Sequence, residues 1–127
     1  MIVCLDTSTP TCRLTLLDEN TYVYEWEASR ELAKSLLGFL DEKLAEHRAA
    51  WQNITGLAIF RGPGSFTGLR IGITVMNTLA DGLGIPIVGT IGDDWQAEAL
   101  SRLQAGENDQ LVLPEYGGEA HITTPKK

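Results

Sequence analysis

Histidine and cysteine are scarce in this chain, with two of each among 127 residues. Cys4 and Cys12 lack CxxC spacing and stand apart from any histidine cluster, so neither a zinc site nor a dithiol redox centre is expected. Each falls in a segment that reads as a strand, where a free cysteine behaves as a small hydrophobe. His47 and His121 have no metal-like spacing, and no Ser/His/Asp order or Cys/His pair emerges, so no catalytic or metal residue is assigned. Positive charge is short as well: 10 Lys and Arg stand against 17 Asp and Glu, a formal net charge of −7. That balance argues against the chain gripping a nucleic-acid backbone by itself, because phosphate binding depends on clustered Lys and Arg. No apolar run approaches the length needed to span a bilayer. The opening Met1-Ile2-Val3-Cys4-Leu5-Asp6 has no basic n-region, so the expectation is a cytoplasmic protein with no membrane role.

What is present is an ordinary globular composition, 43% hydrophobic and 21% charged, in a chain of one-domain length. Ile2 to Leu5 reads as a buried strand. Cys12, Leu14 and Leu16 alternate on a second, and Tyr22, Tyr24 and Trp26 alternate on a third after the turn Asp18-Glu19-Asn20. The period then changes: Ser29 is expected to cap a helix through about Arg48, followed by a strand at Thr55–Phe60 and a helix at Phe66–Leu83 that Gly84 ends. Ile85–Gly89 reads as a parallel strand. Asp93 or Asp94 opens a third helix ending at Gly106. The order βββαβαβα resembles an actin-like (ASKHA, ribonuclease-H-like) half, an α/β fold with a mixed sheet flanked by helices. Residues 1–106 are expected to form this single domain, with Glu107-Asn108-Asp109 a solvated linker, 107–127 a C-terminal tail and Ala120 to Lys127 its flexible end.

Between strand and helix lies Arg61-Gly62-Pro63-Gly64-Ser65-Phe66-Thr67-Gly68-Leu69-Arg70-Ile71-Gly72. A glycine-rich turn opening a helix is the geometry in which backbone N–H groups can hold an anion. Asp6, Ser8, Gly62, Gly64, Ser65 and Thr67 are therefore a candidate anion site. It is not a Walker A loop, because Gly68 is followed by Leu69 and Arg70 rather than by Lys and Ser or Thr. The other reading of the same residues is a tight turn made for close backbone packing, with Asp6 and Thr7 capping their own turn. Arg61 and Arg70 flank the loop and suit either an anion, a partner carboxylate or a surface salt link.

The GPGSFTGLRIG run, with Asp6-Thr7-Ser8-Thr9 closing the first strand and Gly84-Ile85-Pro86-Ile87-Val88-Gly89 further on, resembles the TsaB (YeaZ) family. The resemblance covers about residues 1 to 105. It implies a non-catalytic partner subunit in making threonylcarbamoyladenosine next to the tRNA anticodon, binding and organising the TsaD-like transferase subunit. On that basis tRNA is contacted only indirectly, no cofactor is expected, and a third, TsaE-like ATPase subunit is a further partner. The catalytic relative's paired-histidine metal site has no counterpart here. Family members are mostly nearly twice as long, carry a second actin-like half, and often have histidine where this chain has Leu32. Pro114-x-Tyr116 resembles their C-terminal ending.

The two long helices carry more apolar surface than one sheet needs. Leu32, Leu36 and Phe39 on the first, and Gly68, Gly72, Val75 and Leu79 on the second, are the expected partner interface. Gly68-x-x-x-Gly72 would admit a second helix backbone closely, and Gly72→Leu would then leave the chain folded but abolish pairing, with the transferase or with a second copy as a homodimer. The competing readings are coverage of both stripes within the monomer, a minimal nucleotide-binding ATPase or phosphotransferase using Asp6, Ser8 and the Gly62–Gly68 loop, and a self-associating regulator.

Overall fold

The computed structural model describes residues 1–116. Side chains alternate across a strand, and the chain uses this to face two layers at once. β1 (Ile2–Asp6), β2 (Thr11–Leu17), β3 (Thr21–Glu27), β4 (Gly56–Phe60) and β5 (Ile87–Thr90) form one sheet in the order β3-β2-β1-β4-β5. The first three are joined antiparallel by short turns, whereas β1/β4 and β4/β5 are parallel. Leu5 of β1 stands between Leu14 and Ile59, and Cys4 between Thr15 and Ala58. With α1 (Leu32–Glu46), α2 (Phe66–Leu83) and α3 (Trp95–Gln104), the order is the βββαβαβα that the sequence leads one to expect.

One sheet face carries Val3, Leu5, Leu14, Leu16, Leu57, Ile59 and Ile87, and packs under α1 and α2. The other presents Cys4, Ala58 and Val88 to Ala99, Trp95 and Leu103 of α3. Leu32, Leu36, Leu40 and Leu44 form a four-residue stripe that turns α1 inward, and Leu69, Ile73, Met76 and Ala80 do the same for α2. Each leucine, isoleucine or methionine of these stripes taken from water contributes roughly 1.5–3 kcal/mol. Local chemistry sets both ends of α2. The Ser65 hydroxyl accepts from the Gly68 N–H at 3.3 Å, and Gly84 takes the left-handed conformation at φ 67°.

Other boundaries differ from expectation. Ser29 does not cap α1: its φ is 44°, and a short 3₁₀ turn at Ser29–Glu31 precedes the helix. The Ala28 and Ser29 N–H groups both donate to Pro10 O, so the chain is tied to the β1–β2 turn before the helix begins. β4 starts at Gly56, one residue after the Thr55 N–H donates to Met1 O ahead of β1. β5 begins after Pro86, which has no N–H to give a ladder.

The larger correction concerns residues 107–116. Asn108 and Asp109 are exposed, as expected of a linker, but they also cap the sheet edge. The Asn108 Oδ1 accepts from the Ile87 N–H at 3.0 Å, Asp109 Oδ2 accepts from the Gly89 N–H at 2.9 Å, and the Asp109 N–H donates to Ile87 O. The segment continues as a strap in which Val112 is buried against the core. His121 and the expected flexible end at 120–127 lie outside the described residues.

Candidate docking face and the glycine-rich loop

Because β1 and β4 are parallel neighbours, their C-terminal ends bring Asp6-Thr7-Ser8 beside the Gly62–Gly68 loop. Asp6 Oδ1 accepts from both the Ser8 N–H (2.8 Å) and the Ser8 hydroxyl (2.6 Å), closing a local turn. The Ser65 N–H donates to Ser8 O at 2.8 Å. A methyl group on Gly64 would sit 2.5 Å from Ser8 Cβ, and one on Gly62, whose φ is 137°, would fall on the Glu115 carbonyl. Asp6, Ser8, Gly62, Gly64 and Ser65 of the candidate anion site are thus brought together, but their polar groups and free volume serve one another. Thr67 is exposed on the first turn of α2, where it lines a shallow groove with Ser65 and Gly68 and a second one with Arg70 and Ile71. This geometry matches the close-packing alternative for the loop.

Thr7 pins that arrangement. It is wholly buried, and its hydroxyl donates to Gly68 O at 2.7 Å. A Cβ on Gly72 would press into the Thr7 hydroxyl and lie 2.9 Å from its Cγ2, while one on Gly68 would strike Thr7 O. The small-residue notch of α2 therefore seats the β1–β2 turn of its own chain. Gly68 and Gly72, expected to face a partner helix, thus meet Thr7 of their own chain, and Leu32 and Leu36 of the same expected interface lie in the monomer core. Phe39 stacks on Trp26 with ring centroids 4.9 Å apart, and Leu79 packs half-buried against the core.

What α1 and α2 present outward is a neighbouring set. Ala33, Thr67, Arg70, Ile71, Thr74 and Val75 line an open groove of about 380 Å³. Leu37 on the same flank of α1 is 51% exposed. Val75 is the member of the expected interface that this groove retains. Nothing in the sequence set Leu37, Ala33 or Ile71 apart from the leucines and isoleucines beside them. Among the described residues no group of three His, Cys, Asp or Glu is placed to hold a metal ion.

The strap crosses the other flank of α2. Asn77 grips Val112 twice, its Nδ2 donating to Val112 O at 3.0 Å and its Oδ1 accepting from Val112 N at 2.9 Å. Arg61 donates from Nη1 to Leu113 O at 3.2 Å, and its own carbonyl accepts from the Glu115 N–H. Arg61 is thus committed to the strap rather than reaching for an anion. Tyr116 ends the crossing stacked on Phe66, centroids 4.0 Å apart. At the strap's start, Arg102 pairs with Asp109 and with Glu107 at 2.6 Å. Burial works against the Asp109 carboxylate, yet hydrogen bonds from Arg102 and the Gly89 amide hold its carboxyl below the ordinary value. At the end of α1, His47 bonds to the Tyr24 hydroxyl and lies against the Tyr22 ring at 4.1 Å, a cluster that its lack of metal-like spacing gave no hint of.

Residues 18–108 match the model of the family described as TsaD: tRNA N6-adenosine threonylcarbamoyltransferase. The chain is 37% identical over 124 residues to the "tRNA threonylcarbamoyladenosine biosynthesis protein TsaB" of Haemophilus influenzae, covering 96% of itself and 52% of that protein. Against the Escherichia coli protein of the same name it is 36% identical over 89 residues, covering 69% and 38%. The solved structure of YeaZ from Pseudomonas aeruginosa, an actin-like fold, superposes with a TM-score of 0.69 at 33% identity, covering 82% of this chain and 49% of that one. The chain thus spans about half the length, or less, of these relatives.

Proposed function

The chain belongs to the TsaB (YeaZ) family, and we propose that it acts in tRNA threonylcarbamoyladenosine biosynthesis as a non-catalytic partner subunit. It would bind and organise a TsaD-like transferase chain that modifies the adenosine next to the anticodon. The observation that carries this reading is the outward face of α1 and α2. A half-exposed Leu37 stands beside an open groove lined by Ala33, Ile71 and Val75 together with Thr67, Arg70 and Thr74, a mixed surface available to a protein contact. The inward stripes of both helices are already satisfied by the sheet, so this remaining surface is what is left to bind.

Two further features support it. The residues of the glycine-rich loop are engaged with Ser8, Thr7 and Glu115, which favours a structural role over nucleotide chemistry. The net charge of −7 suits a subunit whose contact with tRNA runs through its partner. No helix among the described residues is long and apolar enough to cross a membrane.

Size-exclusion chromatography with light scattering, on the chain alone and mixed with the TsaD-like subunit of the same organism, tests the proposal. A one-to-one complex is expected. Two species eluting separately at micromolar concentration would remove the partner role.

A further inference from the structure

The sheet has two edges, and the chain treats them differently. Along β5 the outward backbone groups of Ile87 and Gly89 are all taken. The Ile87 N–H donates to Asn108 Oδ1 and Ile87 O accepts from the Asp109 N–H. The Gly89 N–H donates to Asp109 Oδ2, and Gly89 O accepts from Arg102 Nη1 at 3.3 Å. β3, at the opposite edge, is the longer strand and pairs only with β2. In an antiparallel ladder alternate residues turn N–H and C=O away from the partner strand. Among the described residues nothing bonds to those outward groups of β3. Its register with β2 runs unbroken from Thr21 to Glu27, with no bulge to turn the edge aside.

The side chains of this edge leave apolar surface uncovered. Tyr22, Tyr24 and Trp26 alternate on the face toward α1 and are only half-buried. Beside them, Ser35, Gly38, Phe39 and Glu42 of α1 line an open groove of about 750 Å³ with Tyr24 and Trp26. On the other face Val23 is 58% exposed. The edge carboxylates are engaged within their own hairpin: Glu25 pairs with Arg13 at 2.9 Å, and Glu27 accepts from the Thr11 hydroxyl at 2.6 Å.

We infer that β3 is a self-pairing edge, through which two copies of this chain join antiparallel about a two-fold into one continuous sheet. The strand's own sequence selects that occupant. Centred on Tyr24, the pairing sets Thr21 opposite Glu27 of the copy, Tyr22 opposite Trp26 and Val23 opposite Glu25. Every residue of the strand is then matched and no carboxylate faces another, whereas centring on Glu25 would oppose that carboxylate to itself. The aromatic pairs fall on the face toward α1, where they cover what Tyr22, Tyr24 and Trp26 leave to solvent in one copy. The assembly closes at two, because the capped β5 edge offers a third copy no strand to pair with. The surface is separate from the groove between α1 and α2, which Ala33, Arg70 and Val75 line on the other flank of α1. The inference therefore stands apart from the partner role proposed above, and a paired chain keeps that groove open.

Sedimentation equilibrium of the full chain from micromolar to millimolar concentration, with amide hydrogen exchange read at both ends of that range, tests the inference. A monomer–dimer equilibrium is expected, in which β3 alone among the strands gains amide protection as the dimer forms. Val23 is exposed, so replacing it should leave the melting curve of the dilute chain unchanged. Val23→Glu sets a carboxylate opposite Glu25 of the copy and Val23→Lys sets a cation there, so the dimer dissociation constant should rise about tenfold in the first and fall about tenfold in the second. A chain that stays monomeric throughout refutes self-pairing. So does a dimer indifferent to both substitutions, or one that Leu37→Glu abolishes while the β3 amides exchange at an unchanged rate, which would place the contact on the two-helix face. Protection of β3 that appears only on adding the TsaD-like subunit would assign the edge to that partner and equally overturn the inference.

Discussion

Replacing Gly72 by alanine tests how α2 is seated, because two effects of opposite sign meet there. Alanine in a helix interior is favoured over glycine by about 1 kcal/mol. The added methyl, however, points at Thr7, 2.9 Å from Cγ2, 3.0 Å from Cβ and closer still to the hydroxyl. Overpacking of that kind costs about 1–3 kcal/mol. Thr7 has no room to turn aside, since it is fully buried and its hydroxyl is held by Gly68 O. Loosening that bond costs about 1 kcal/mol more. The sum is a net destabilisation of about 1–3 kcal/mol, measured as a lower urea midpoint by tryptophan fluorescence and far-ultraviolet circular dichroism. Thr7→Ala removes the two nearest atoms, so Gly72→Ala in that background should be nearly neutral, a coupling of about 1–3 kcal/mol. A single Gly72→Ala that stabilises by the propensity gain alone, or strict additivity with Thr7→Ala, would refute the seating. Gly72 would then be open to a second chain, as its spacing with Gly68 first suggests.

Leu37→Glu should change stability by no more than about 0.5 kcal/mol yet abolish partner binding, whereas Leu36→Ala, one position away, should cost about 2–5 kcal/mol; equal unfolding midpoints for the two variants would contradict the assigned faces. Asp109 carries a carboxyl held below its ordinary value of 3.8. Its contribution is therefore present above that value and lost as pH falls through the lower folded one, so the stability gap between wild type and Asp109→Asn should close under strong acid. A gap that stayed constant with pH would exclude the ion pair as the strap's anchor. Burial pushes both thiols up to about 12, so a chromogenic disulfide should label no cysteine in the native chain near pH 8 and two in denaturant; rapid native labelling would show that either strand opens.

The legible parts of this protein are those settled within a few residues of chain. A short apolar run announced β1, and period-two alternation announced β2 and β3. Ser65 and Gly84 marked both ends of α2, because a side-chain oxygen and a missing Cβ act on the turn they belong to. The order of elements along the chain and the mixed character of the sheet were legible as well. The anion reading of the loop drew on the same glycines, but glycine spacing reports only that something comes close, not what. Here the close neighbours are Ser8 and Glu115.

Which apolar stripe faced inward was not legible. Leu36 and Leu37 are adjacent and chemically identical, yet one is wholly buried and the other half exposed, because the line of the sheet beneath α1 selects the phase. Asn108 and Asp109 read as linker residues because their polarity favours water, until the unpaired amides of an edge strand offer them better partners. By itself the sequence determined the elements, their order and the family, since torsional preference, capping and alternation are local. The tertiary structure alone decided which helix faces stay exposed and the role of Thr7, whose bond to Gly68 joins residues 61 apart in the chain. Such a contact exists only once β1 and β4 lie side by side.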